Sequence, residues 1–139
     1  MPSKKPLIAI VDDDESICRA LERLVRSLGM IAESYPSSED FVNQIESCPS
    51  FRPDCVIMDV QMPILNGTEV QARIRRIHKD IPVVFVTAFD DRAARERALA
   101  GGAVAFLRKP CNDVLISRTL NAALGRHGSD ESAGESESK

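Results

Sequence analysis

The sequence predicts an α/β fold, a doubly wound parallel sheet of five strands with five helices. Two observations carry this. Strand-like apolar runs alternate strictly with segments of helical periodicity, five times over. The inner runs are continuously apolar, as in strands covered on both faces. A third observation concerns the ends of four runs. Leu7 to Val11 ends in Asp12-Asp13-Asp14, Val56 to Met58 in Asp59, and Val83 to Val86 in Thr87; Val104 to Leu107 is followed by Lys109-Pro110. In a parallel sheet these polar groups share one edge, the edge where open α/β folds bind ligands.

The first strand is read as Leu7 to Val11. Ile17, Leu21, Leu24, Val25 and Leu28 then recur at helical spacing, with Asp14 as the N-cap and Gly29 as the stop. Met30 to Tyr35 is a weaker strand, and Ser37 or Ser38 caps a helix carrying Phe41, Val42 and Ile45. A loop, Pro49 to Pro53, leads into the strand Asp54 to Asp59. The loop Gln61 to Gly67, punctuated by Pro63 and Gly67, precedes a helix with Val70, Ile74 and Ile77 on one face. Pro82 precedes the fourth strand. Asp90 is placed as the cap of an alanine-rich helix ending at Gly101-Gly102. Val104 to Leu107 is the fifth strand, and Asn112 caps a last helix with Ile116, Leu120, Ala123 and Leu124. Crossovers are expected to be right-handed.

The 139 residues suit one domain, expected over 1–124. Residues 125–139 hold glycine, serine and acids without a large apolar side chain, so they are expected to form a disordered acidic, serine-rich tail. A net charge of −3 argues against general nucleic-acid binding. Arg73, Arg75, Arg76, His78 and Lys79 therefore read as a solvated helix face. No apolar stretch is long enough to cross a bilayer, and the run after the basic start is too short for a signal peptide, so a cytoplasmic location without membrane contact is expected. Cys18, Cys48, Cys55 and Cys111 form no C-x-x-C pair or zinc spacing, and Cys18 and Cys55 read as small buried hydrophobes. No Walker A loop, G-x-G-x-x-G, H-E-x-x-H or G-x-S-x-G occurs. His78 and His127 have no nucleophile or ligand partner nearby in sequence.

The converging groups suit phosphoryl chemistry. A strand-end carboxylate such as Asp59 can attack phosphorus and form an acyl phosphate. Taken alone it would read as a loop cap; the other three clusters tip the balance. Clustered carboxylates repel one another unless a cation neutralises them, and Asp12 and Asp13 offer the hard oxygens that suit Mg²⁺. Asp14 is better read as a helix cap. The Thr87 hydroxyl can donate to a phosphoryl oxygen, although a threonine in a strand needs no further reason. Lys109 supplies a point charge, and Pro110 forces it out of helical geometry; the bond between them can be cis or trans.

These residues resemble a family. From about Pro6 to Leu124 the chain is similar to the receiver domain of bacterial two-component response regulators. The matching pieces are Val11-Asp12-Asp13-Asp14, Asp59-Val60-Gln61-Met62-Pro63 with Gly67, Val86-Thr87-Ala88, and Phe106-Leu107-Arg108-Lys109-Pro110. The resemblance implies a flavodoxin-like fold with strand order 2-1-3-4-5. It implies phosphoryl transfer to Asp59 from a sensor histidine kinase or phosphotransfer protein. It places Mg²⁺, or Mn²⁺, on Asp12, Asp13, Asp59 and the backbone carbonyl of Gln61. Thr87 matches the switch hydroxyl, Lys109 the phosphate-contacting lysine and Phe106 the rotating aromatic. As Phe106 has no phenolic hydroxyl, any signal needing one is absent.

The implied output is a switched surface on the fourth helix, fifth strand and fifth helix. It would face a downstream protein, an output domain, or a second copy in a phosphorylation-dependent dimer. The implied role is not that of an enzyme beyond the chain's own phosphorylation and dephosphorylation. Where many relatives continue into another domain, this chain has its acidic tail, so a stand-alone receiver and a part of a longer scheme both stay open. The rival readings are a flavin- or nucleotide-binding module on the same fold and an unphosphorylated scaffold. Asp12-Asp13-Asp14-Glu15 would repel a phosphate held without metal, and the intact acid, threonine and lysine set speaks against a scaffold.

Overall fold

The computed structural model describes residues 5–62, 65–77, 80–88 and 92–125. Pro63, His78, Lys79, the expected cap Asp90, His127 and the tail from Arg126 lie outside them, as do residues 1–4.

Ten elements alternate along the chain. They are β1 (Leu7–Val11), α1 (Glu15–Ser27), β2 (Ile31–Tyr35), α2 (Ser38–Ser47), β3 (Cys55–Met58), α3 (Gly67–Ile77), β4 (Val83–Thr87), α4 (Arg92–Ala100), β5 (Ala105–Arg108) and α5 (Asp113–Ala123). The strands form one parallel sheet in the order β2-β1-β3-β4-β5. Val11 lies beside Met58, Met58 beside Phe85 and Phe85 beside Phe106. The strand ends are therefore level, and the residue after each reaches the same edge.

Alternation along each strand divides the core. Ala9, Val11, Val56, Met58, Val83 and Phe85 face one way and pack with Phe41, Ile45, Val70, Ile74, Ala94 and Ala98 of α2, α3 and α4. Ile8, Ile10, Cys55, Ile57, Val84 and Val86 face the other way and meet Leu21, Leu24, Val25, Ile116 and Leu120 of α1 and α5. Every residue of β3 and β4 is buried, whereas edge strand β2 is half exposed, which explains its weaker apolar pattern.

The local signals act as read. The Asp14 carboxylate accepts from the N–H groups of Ser16 (2.9 Å) and Ile17 (3.2 Å). Hydrogen bonds from the Ser16 hydroxyl and the Ile17 amide hold its pKa below the usual carboxylate value. Gly29, at φ +81°, closes α1: its N–H donates to Arg26 O and that of Met30 to Val25 O. Asn112 caps α5 through the N–H of Leu115 (2.8 Å).

The structure decides between the two candidate caps of α2 and shifts three other details of the sequence reading. Ser37 is the cap of α2; the buried Ser38 hydroxyl donates instead to Leu65 O (2.7 Å). Asp54 lies just before β3, where its carboxylate accepts from the N–H of Leu7 (2.8 Å). β5 begins at Ala105, because exposed Val104 makes only the entry bond to Val83 O. Ile77 is 41 % exposed, since the core beneath α3 stops at Ile74.

Candidate phosphoryl and metal site

Asp12, Asp13 and Asp59 meet at the sheet edge, each offering a carboxylate oxygen within 4.8 Å of the others'. Backbone bonds fix two of them. The Asp12 N–H donates to Tyr35 O (3.2 Å) and that of Asp59 to Val11 O (3.0 Å), so each acid sits just past its strand while still tied to its neighbour. Asp12 and Asp59 are 3 % and 7 % exposed. Asp13 is exposed.

Each buried carboxylate is pinned at one oxygen by the chain that follows it. Asp12 Oδ1 accepts from the N–H of Asp14 (2.9 Å), and Asp59 Oδ1 from the N–H of Gln61 (3.0 Å). The other oxygens share one cation: Lys109 Nζ donates to Asp12 Oδ2 (2.8 Å) and to Asp59 Oδ2 (3.1 Å). Burial pulls the Lys109 ammonium toward neutrality, but the hydrogen bonds to Asp12 and Asp59 outweigh it, and its pKa is raised.

The β4–β5 ladder delivers Lys109. Its N–H donates to Thr87 O (2.7 Å), and its peptide bond to Pro110 is cis. Thr87 is buried at the end of β4. Phe106, half buried on β5, lies 6.0 Å centroid to centroid from Phe85. Thus Asp12, Asp13, Asp59 and Lys109 come together directly, and Thr87 adjoins through the Lys109 backbone. Gln61 adjoins through its N–H. Phe106 stands one layer back on the face of α2, α3 and α4.

Three features escaped the sequence reading. A Cβ at Gly67 would lie 2.6 Å from Asp59 O and 2.8 Å from Phe85 Cε1, so α3 starts pressed against the Asp59 backbone. Asn66 caps α3 by accepting from the N–H groups of Thr68 and Glu69, and its own N–H donates to Glu69 Oε1 (2.9 Å). That N-x-x-E spacing was a readable signal. The Cys18 thiol, raised in pKa by burial, donates to Asp12 O (3.2 Å) and is not merely a hydrophobe.

The donor set fits a divalent hard cation. Three carboxylates against one ammonium leave two formal negative charges, all donors are oxygen, and the exposed Asp13 opens the group to water. Among the described residues no helix is long and apolar enough to cross a membrane.

Comparisons with known proteins point to one family. The family model of the response regulator receiver domain matches residues 8–121. The response regulator TodT of Pseudomonas putida is 32% identical over 124 residues, covering 89% of this chain and 53% of its own length. The response regulator MprA of Mycolicibacterium vanbaalenii is 37% identical over 130 residues, covering 93% of this chain and 54% of its own. The chain thus spans about half the length of the curated relatives it matches. Among solved structures, a response regulator receiver protein from Burkholderia phymatum is 54% identical with a TM-score of 0.78, over 87% of this chain and 96% of that one. A CheY-like receiver domain from Methanospirillum hungatei, at 20% identity and a TM-score of 0.83 over 92% of this chain and all of its own, shares the fold.

Proposed function

The chain belongs to the response regulator receiver domain family of two-component systems, and from that premise we propose that Asp59 accepts a phosphoryl group from a phosphohistidine. The observation that carries this is the Asp59 carboxylate just past a strand end, pinned at Oδ1, with Oδ2 beside a part-buried ammonium that also binds Asp12. The donor is a sensor histidine kinase or a phosphotransfer protein. An Asp59 oxygen attacks phosphorus, the P–N bond breaks, and its electron pair leaves with the imidazole, which is protonated. Water later attacks the acyl phosphate and returns inorganic phosphate and Asp59. The chain is no enzyme beyond these two reactions on itself.

Asp12, Asp13, Asp59 and the Gln61 carbonyl would hold Mg²⁺ or Mn²⁺. When bound, that ion offsets the charge on carboxylate and phosphoryl oxygens. Lys109 already faces Asp59 and is held protonated, so it is placed to follow charge onto a phosphoryl oxygen. The Thr87 hydroxyl adds a second donor from the adjoining strand. Drawing Thr87 and Lys109 inward lets Phe106 turn, and biases a two-state equilibrium of α4, β5 and α5. Leu99 of α4, Val114 and Leu115 of α5, and Val104 just before β5 are exposed apolar side chains, which suits a protein-binding surface. The partner there is a downstream protein, an output domain or a second copy, in the cytoplasm, with residues 1–124 as the working unit.

The test is mass spectrometry after incubation with acetyl phosphate and Mg²⁺. One phosphoryl group, labile to base, is expected on the wild type and none on Asp59→Asn. A mass gain that persists in Asp59→Asn rules the assignment out.

A further inference from the structure

The three acids of the cluster are held unequally. Asp12 is tied at each polar atom. Its N–H donates to Tyr35 O (3.2 Å), Oδ1 accepts from the Asp14 N–H (2.9 Å), Oδ2 from Lys109 Nζ (2.8 Å), and the carbonyl oxygen from the Cys18 thiol (3.2 Å). Asp59 is tied at its N–H and at both carboxylate oxygens. Asp13 is exposed and makes no hydrogen bond or ion pair with the described residues. Yet one of its carboxylate oxygens lies within 4.8 Å of theirs. Its side chain is therefore aimed by the backbone it stands on.

A peptide group is planar, so holding its oxygen or its N–H orients the whole plate. The plate before Asp13 carries Asp12 O, held by the Cys18 thiol. The plate after Asp13 carries the Asp14 N–H, held by Asp12 Oδ1. With both plates set, the two soft rotations at the Asp13 Cα are set, and with them the direction of its side chain. Cys18 is itself well fixed. It is 6 % exposed, its N–H donates to Asp14 O (3.0 Å) in the first turn of α1, and its side chain packs in the core between the sheet and α1 and α5. A thiol suits the place, being small and apolar enough for a core yet able to donate. Without it the first plate is free to tilt. A tilt swings Asp13, whereas Asp12 keeps its three other ties.

We propose that Cys18 is a positioning residue: its thiol, by holding Asp12 O, aims the Asp13 carboxylate at the place where the three acids meet. The effect on a bound cation rests on reading Asp13 as one of its ligands. The aim itself is a property of the metal-free protein.

Metal-free amide NMR spectra and Mg²⁺ titrations of the full chain test this. In Cys18→Ala the amide signals of Asp13 and Asp14 should shift or broaden, and Mg²⁺ should bind about tenfold more weakly, the low end for losing a group that orients a ligand. Cys18→Ser, which keeps a donor at the same place, should recover the wild-type signals and most of the affinity. Cys55→Ala removes a buried thiol at the start of β3, the end away from the site. It should lower the melting temperature as Cys18→Ala does, yet leave the Asp13 and Asp14 signals and the Mg²⁺ affinity of the wild type. Unmoved signals in Cys18→Ala, no recovery in Cys18→Ser, or an equal loss of affinity in Cys55→Ala overturns the assignment. So does full affinity in Cys18→Ala beside a loss in Asp13→Ala. Signals that move in Cys18→Ala and recover in Cys18→Ser, with wild-type affinity in both Cys18→Ala and Asp13→Ala, support the aim and count against Asp13 as a ligand instead.

Discussion

Replacing Lys109 by methionine keeps the bulk of its chain and removes the cation that bridges Asp12 and Asp59. The Lys109 side chain is 14 % exposed and its partners 4 % and 9 %, so solvent screens this triad weakly. Breaking a buried ion pair on one side costs about 3–5 kcal/mol, and the lower end applies because the mouth of the site is open at Asp13; we expect about 3 kcal/mol. For a domain of this size that is a fall in Tm of roughly 10 °C. The raised pKa of Lys109 fixes the sign of the pH dependence. The stabilisation is fully present below the ordinary lysine value and is lost only as pH climbs through the raised folded value, so neutral buffer suffices. The variant also changes the formal charge of the acid cluster from −2 to −3. Mg²⁺ should then bind at least about tenfold more tightly, worth about 1.4 kcal/mol, and recover part of the lost stability. Thermal melts of both proteins, metal-free and with excess Mg²⁺, measure each quantity. A Mg²⁺ gain in the variant no larger than in wild type would refute the reasoning, because it would mean that Lys109 and the metal do not oppose the same charges.

Asp13→Ala removes an exposed acid, so metal-free melts should hold or rise slightly while the Mg²⁺ gain shrinks; equal Mg²⁺ gains in variant and wild type would contradict a role for Asp13 as ligand. Gly67→Ala places a methyl group against Asp59 O and Phe85, so a loss of about 1–3 kcal/mol and slower labelling by acetyl phosphate are expected. An unchanged chemical-denaturation midpoint would show that the start of α3 can retreat from Asp59. Truncation after Leu124 should leave both the melting temperature and labelling intact, since the residues beyond carry no large apolar side chain. Loss of either would show that the tail belongs to the folded unit.

What the sequence made legible was whatever depends on neighbours along the chain. Continuous apolar runs marked β3 and β4 because both of their faces are covered, and the acids that follow β1 and β3 mark the level sheet edge. Asp14 and Asn112 were readable as caps because a cap bonds residues two or three places on. What stayed hidden depends on what lies across the fold. Ser37 and Ser38 are equal candidates until Leu65 O claims the second. Gln71 reads as one polar residue among many on α3 until Ala98 of another helix meets it. Gly67 reads as loop punctuation until Asp59 O is seen against its Cα. Ile77 fits the helical period, yet nothing in that period tells where the core beneath α3 ends.

The sheet order has a consequence for how the protein is made. Lys109 meets Asp12 across 97 residues and Asp59 across 50, and no local pairing brings any of the three together. Such contacts form late, because the intervening chain must first be ordered. On the ribosome Asp12 and Asp59 emerge well before β5, and β5 has no place until β4 has joined β3. A growing chain therefore carries its acids for most of synthesis without the lysine that completes their surroundings. Only when β5 docks does the full constellation exist, so a nascent or half-folded copy holds Asp12 and Asp59 without the ammonium that bridges them.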